Sequence, residues 1–174
     1  MVDVFSAILK EEESVLVEDL SYSAVAAFHR IREVDARRYI LVGAVKRGWE
    51  PGSLRIYQIN EILMPGEDEV QRFIGESVSG AIDLRSLVYL IKLYGGDLGR
   101  RFTVVEVEPQ DVMYGNRLSK RVYEALPNVV KAILRLAGME SYYRKAVKTL
   151  YAFVDPEGNL CRRGLENGWK PGGY

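Results

Sequence analysis

The chain has 174 residues, a length that suits one domain with a substantial hydrophobic core. Its composition, 48% hydrophobic and 28% charged, is typical of folded globular proteins and excludes general intrinsic disorder. The 24 basic and 24 acidic side chains cancel, so no net charge attracts nucleic acid or an anionic membrane.

Cysteine content and hydropathy further restrict the class of protein to which the chain can belong. The single cysteine, Cys161, excludes an intramolecular disulfide framework and a zinc site built on several cysteines. No apolar run reaches the roughly 18 residues needed to span a bilayer. The acidic N-terminus, with Ser6 inside its first apolar run, does not match a secretory signal. These features predict a cytoplasmic protein, and the abundance of Arg, Glu and Tyr favours a thermophile as the source.

Helix and strand patterns alternate along the first two thirds of the chain. Apolar residues at helical spacing predict helices at residues 3–13, 25–34 and 84–94, with Ser21 or Ser23 as the cap of the second. Apolar or alternating runs predict strands at residues 15–18, 39–45, 54–59 and 102–107. Residues 67–80, polar and Gly-punctuated, predict a loop with at most one helical turn.

A longer helix is predicted after Ser119, which is expected to cap it, because apolar residues recur every 3.6 positions as far as Leu136. Pro127 is expected to bend this helix. The alternation of helices and strands predicts an α/β fold of three layers with a mostly parallel, doubly wound sheet. We predict one domain over residues 1–154 and a C-terminal tail over residues 155–174, which contains Gly, Pro and Arg and opens with a turn.

Several short motifs follow one another in a fixed order. They are Tyr39–Gly52 (YILVGAVKRGWEPG), Glu108-Pro109-Gln110-Asp111, Gly115, Leu118-Ser119 and Ala125-Leu126-Pro127. In order and spacing, the region from Val4 to Leu136 resembles the hydrogenase maturation endopeptidases, which trim the C-terminus of a nickel-iron hydrogenase large subunit. The resemblance implies a phosphorylase/hydrolase-like fold. The family's first strand, which precedes its first carboxylate ligand, has no counterpart here.

The positions that bind metal in that family are changed in this chain. The second ligand, an Asp, corresponds to Gly43, and the third, a His, corresponds to about Gly80. Because glycine offers no side-chain donor, we expect neither nickel nor another metal or cofactor. The lone histidine, His29, lies in a predicted helix away from these positions. No Ser-His-Asp or Cys-His motif accompanies it, so we expect no catalytic residues.

The sequence therefore predicts a non-catalytic relative, a pseudoenzyme, that binds another protein chain in the former substrate groove. The candidate binding residues are Arg47 and Trp49 in the Gly/Pro turn, Glu76 and Asp83 in the following loop, and Trp169 in the tail. A plainer interpretation of Trp49 is that it covers the end of the sheet, and of Asp83 that it begins a helix.

Two alternatives stay open. One is an active maturation endopeptidase with an altered site. The other is an accessory subunit of a larger assembly, including a nucleoprotein, that uses dispersed Arg/Lys pairs. Nucleic acid is not favoured, because these basic pairs are spread along the chain rather than clustered, and a membrane partner is not expected.

Overall fold

The computed structural model describes residues 1–63, 66, 68, 70–71, 84–112 and 117–160. Helices with described bounds are α1 (Val2–Ile8), α2 (Ala24–Glu33), α3 (Leu84–Tyr94), α4 (Lys120–Ala137) and α5 (Tyr143–Phe153). Strands are β1 (Tyr39–Ala44), β2 (Leu54–Gln58) and β3 (Phe102–Val107), and short 3-10 helices lie at Ile59–Glu61, Gly96–Arg101 and Glu140–Tyr142. None of the described helices is long and apolar enough to cross a membrane.

The described residues form two compact units. The sheet unit consists of residues 20–49 and the described part of 53–108, and the helical unit consists of residues 1–19, 50–52 and the described part of 109–174. The three strands and helices α2 and α3 belong to the sheet unit. Helices α1, α4 and α5 belong to the helical unit.

In the sheet unit, β3 lies between β1 and β2. It pairs parallel with β1 and antiparallel with β2, so the sheet is mixed. The α/β class is confirmed, and the three described strands form a mixed sheet, with one parallel and one antiparallel pair, rather than a mostly parallel one. The physical reason is the short connection between β1 and β2, residues 45–53, because a parallel return needs a crossover of a dozen or more residues.

The core of the sheet unit lies between one face of the sheet and helices α2 and α3. Side chains of a strand alternate between faces, which places Phe102 and Val104 on the same side of β3. Both are fully buried, and the ring of Tyr39 in β1 stacks on Phe102 with centroids 4.3 Å apart. The cluster comprises Ala24, Ala27, Phe28, Ile31, Leu41, Tyr57, Ile59, Leu87, Val88, Ile91, Phe102 and Val104.

In the helical unit, α5 contacts both α1 and α4. Lys145 in α5 donates a hydrogen bond to the carbonyl of Ile8 at 3.2 Å, and Tyr142 donates one to the Glu12 carboxylate. The predicted turn at residues 155–158 is present, with Gly158 N donating to Asp155 O at 2.9 Å.

Both capping serines are confirmed. Ser23 accepts a hydrogen bond from Ala26 N at 3.3 Å, and Ser119 accepts one from Val122 N at 3.4 Å. Two local predictions were wrong: α1 ends at Ile8 rather than at residue 13, and residues 15–18 form no strand. The latter run is short, and its apolar pattern alone does not supply a pairing partner.

Candidate functional site

The candidate site is one end of the sheet, where β1 and β3 end and β2 begins. Because β1 and β3 are parallel, their carboxyl ends meet here, with Ala44 opposite Val107. On the other side of β3, Leu54 of β2 is also opposite Val107. We call this region the sheet end and define it by its polar and aromatic side chains, which are Arg47, Trp49, Arg55, Tyr57, Glu106 and Glu108.

The turn after β1 is held by a buried carboxylate. Glu108, only 3% exposed, accepts hydrogen bonds from the backbone N–H of Arg47 at 2.9 and 3.1 Å and of Gly48 at 3.0 Å. Gly48 has φ of +83°, a left-handed conformation that favours glycine. Glu108 therefore fixes the backbone from which Trp49 projects.

A second buried carboxylate lies beside the first. Glu106, 2% exposed, accepts two hydrogen bonds from the Arg47 guanidinium, from Nε at 2.9 Å and from Nη2 at 2.8 Å. The Tyr57 hydroxyl donates a third. These bonds compensate the buried negative charge of Glu106, and they leave Nη1 of Arg47 outside the bidentate pair.

The electrostatics follow from this contact. The hydrogen bond with Glu106 raises the pKa of Arg47, so the guanidinium stays charged at all working pH values. Burial raises the pKa of Tyr57, and the hydrogen bond to the Glu106 carboxylate raises it further. Tyr57 is therefore a neutral hydrogen-bond donor and not a proton acceptor near neutral pH.

Arg55 lies between two aromatic rings at the sheet end. Its Cζ is 4.5 Å from the ring centroid of Tyr57, which is buried, and 5.7 Å from that of Trp49, which is 47% exposed. Both distances are within the range of cation–π attraction. Arg55 forms no ion pair with any residue of the described ranges.

A small cavity of about 40 Å³ opens beside these side chains. It is lined by Arg47, Arg55, Tyr57, Ile62, Arg85, Val88 and Tyr89. Three arginines and two tyrosines line it together with Ile62 and Val88, so its wall combines polar and apolar surface.

Gly43, at the position where the resemblance places a metal-binding Asp, faces helix α3. It is opposite Glu106 in the register of the sheet. A Cβ at this position would lie 2.9 Å from Cδ2 and 3.4 Å from Cβ of Leu84, the first residue of α3. A side chain at position 43 would therefore require the side chain of Leu84 to shift. No group of three potential metal ligands occurs among the residues that the structure describes.

Of the predicted binding residues, Arg47 and Trp49 both lie at the sheet end. Glu76, Asp83 and Trp169, together with Gly80, lie outside the described residues. Sequence reasoning missed Arg55, Tyr57, Glu106 and Glu108 as members of the site. The available signal was Glu106, an acid inside a largely apolar strand, because such an acid needs a bound partner when the strand is central in a sheet.

No protein-family model, curated protein or solved structure matches the chain. The resemblance to the hydrogenase maturation endopeptidases therefore stays a prediction from sequence motifs.

Proposed function

We propose that this chain is a non-catalytic protein that binds a partner protein through the sheet end. The observation that carries the proposal is that Arg55 of β2 contacts the rings of Tyr57 and Trp49, and that Trp49 lies on the turn held by Glu108. Trp, Tyr and Arg are the residues that most often dominate the energy of protein interfaces. Because the turn is already held in place, little conformational entropy would be lost when a partner binds Trp49.

The arrangement of the two acids supports a role without catalysis. Glu106 is bound by Arg47 and Tyr57, and Glu108 by the backbone of the turn. A general acid or base must reach a proton of the substrate, and these carboxylates are 2% and 3% exposed. Their geometry suits the positioning of Arg47 and of the turn.

The proposal extends to the family and the fold of the chain. We propose that the chain is a degenerate relative of the hydrogenase maturation endopeptidases, with a three-layer, doubly wound sheet that lacks the first strand. The position of β1 supports this, since among the described residues β1 pairs only with β3 and has one free edge. Such an edge is suited to the addition of a strand from another chain.

The test is a pull-down of the tagged full chain from its own source, with low-salt and high-salt washes and mass spectrometry of the retained proteins. We expect one partner to survive high salt with the wild type and to be lost with Trp49→Ala. The matched control is Tyr94→Ala, which removes another exposed aromatic side chain, 69% exposed, in the same unit and should keep the partner.

Other outcomes would favour the alternatives. Equal retention by Trp49→Ala and the wild type would contradict binding at the sheet end. Ribosomal components that are lost at high salt would favour a nucleoprotein subunit, because binding to phosphates is strongly salt-dependent. Release of a C-terminal peptide from a hydrogenase precursor would favour an active endopeptidase.

A further inference from the structure

We infer that the sheet-end cavity binds the carboxylate of an acidic side chain on the partner protein, an inference that rests on the proposed function. The cavity is the one lined by Arg47, Arg55 and Arg85 together with Tyr57 and Tyr89.

The charges around the cavity support an anionic occupant. The two acids of the sheet end, Glu106 and Glu108, are already bound by Arg47, Tyr57 and the backbone of the turn. Glu106 forms its ion pair with Arg47 and lies opposite Arg55 in the register of β2 and β3. Arg55 forms no ion pair with a described residue, and it lines the cavity, where its positive charge attracts an anion.

The donors have the geometry that a carboxylate requires. The bidentate pair uses Nε and Nη2 of Arg47 and leaves Nη1 for another acceptor. Arg55 adds a second planar group of donors, held by the rings of Trp49 and Tyr57. Planar guanidinium groups suit carboxylates because two parallel N–H donors match the two oxygens.

The size and the remaining wall of the cavity favour an Asp or Glu side chain. About 40 Å³ has room for roughly three water molecules, which is the size of a carboxylate with its attached carbon. Ile62 and Val88 line the same cavity and would contact the methylene groups of such a side chain. Arg55 connects this cavity to the half-exposed ring of Trp49, where neighbouring apolar residues of the partner would bind.

The direct test is an NMR titration of the purified, ¹⁵N-labelled full chain, observed at the arginine Nε–Hε signals. The probes are N-acetyl-glutamate amide, its neutral analogue N-acetyl-glutamine amide, and inorganic phosphate, all at constant ionic strength. We expect a saturable shift of the Arg55 signal with the glutamate compound, none with the glutamine compound, and weaker binding of phosphate.

Three variants locate the site. Arg55→Gln should weaken binding of the glutamate compound about tenfold or more, since it removes a charge-assisted contact. Arg100→Gln is the matched control, because the Arg100 side chain is 77% exposed and its ion pair among the described residues is with the exposed Asp97. It should leave the binding unchanged. Arg55→Lys keeps the charge without the planar fork and should lie between the two.

Three results would overturn the inference: no saturable shift with the glutamate compound, equal binding by Arg55→Gln, or tighter binding of phosphate than of the carboxylate. The inference and the proposed function fail separately. If no carboxylate binds but Trp49→Ala still loses the partner, only the inference fails. If the carboxylate binds and Trp49→Ala keeps the partner, the proposed function fails.

Discussion

The ion pair between Glu106 and Arg47 is the sheet-end contact whose loss should destabilise the fold most. Glu106→Gln keeps the volume of the side chain but leaves the Arg47 guanidinium without its counter-ion. Removing one partner of a fully buried pair costs about 3–5 kcal/mol. The Arg47 side chain is 25% exposed, so water recovers part of that loss, and we expect about 2–3 kcal/mol.

The assay is urea unfolding at pH 7, followed by far-ultraviolet circular dichroism, with the free energy of unfolding taken from the linear dependence on urea. A double-mutant cycle with Arg47→Met isolates the pair. The variant that carries both Arg47→Met and Glu106→Gln should be less destabilised than the sum of the single variants, by about 1–2 kcal/mol.

Arg100→Gln provides the control for a surface pair and should change the free energy of unfolding by no more than about 0.5 kcal/mol. The reasoning is refuted if the free energy of unfolding of Glu106→Gln is also within about 0.5 kcal/mol of the wild-type value. It is also refuted if the cycle gives no interaction energy between Arg47 and Glu106.

Three further predictions concern neighbouring residues. Gly43→Asp should lower the free energy of unfolding by about 1–3 kcal/mol in urea, because the new side chain meets Leu84. Adding Leu84→Ala to this variant should restore part of the lost stability, and a Gly43→Asp variant as stable as the wild type would contradict the packing. Gly48→Ala should lower the free energy of unfolding by about 1 kcal/mol through the strain of its φ of +83° alone, because an added Cβ has no neighbour within 4 Å. An unchanged urea midpoint would contradict this prediction. The pKa of Tyr57 is raised in the folded protein, so the Tyr57 hydroxyl stabilises the fold fully below the unfolded-state pKa of about 10. This stabilisation is lost as the pH rises from there toward the pKa of the folded state. The stability difference between the wild type and Tyr57→Phe should therefore shrink above about pH 10 in urea titrations, and a constant difference would contradict the role of the hydroxyl.

Elements with strong local signals were predicted well from the sequence. The strands β1, β2 and β3, the end of α3 before Gly95-Gly96 and the caps at Ser23 and Ser119 all follow from nearest neighbours along the chain. The order of the sheet does not follow in this way. Strand β3 inserts between β1 and β2 through pairing of residues far apart in sequence, and no local pattern specifies that choice.

The site was predicted only in part, because the sequence shows local features and not the contacts between distant residues. Arg47 and Trp49 were recognised because they lie in a Gly/Pro turn, a feature that is local. The partner of Arg47 is Glu106, which is 59 positions away in the sequence. Glu106 has apolar neighbours in its strand, and a solvent-exposed acid on an edge strand would show the same local pattern. Only the placement of β3 at the centre of the sheet, with Glu106 2% exposed, identifies it as a buried counter-ion.

The central claim is that the sheet end binds a partner protein through Trp49. The most direct measurement is the affinity of the partner captured in the pull-down, determined by isothermal titration calorimetry for the wild type, Trp49→Ala and Tyr94→Ala. We expect Trp49→Ala to lose about 2 kcal/mol of binding free energy, about a 30-fold increase in the dissociation constant, while Tyr94→Ala stays near the wild type. A dissociation constant for Trp49→Ala within about threefold of the wild type would contradict the claim.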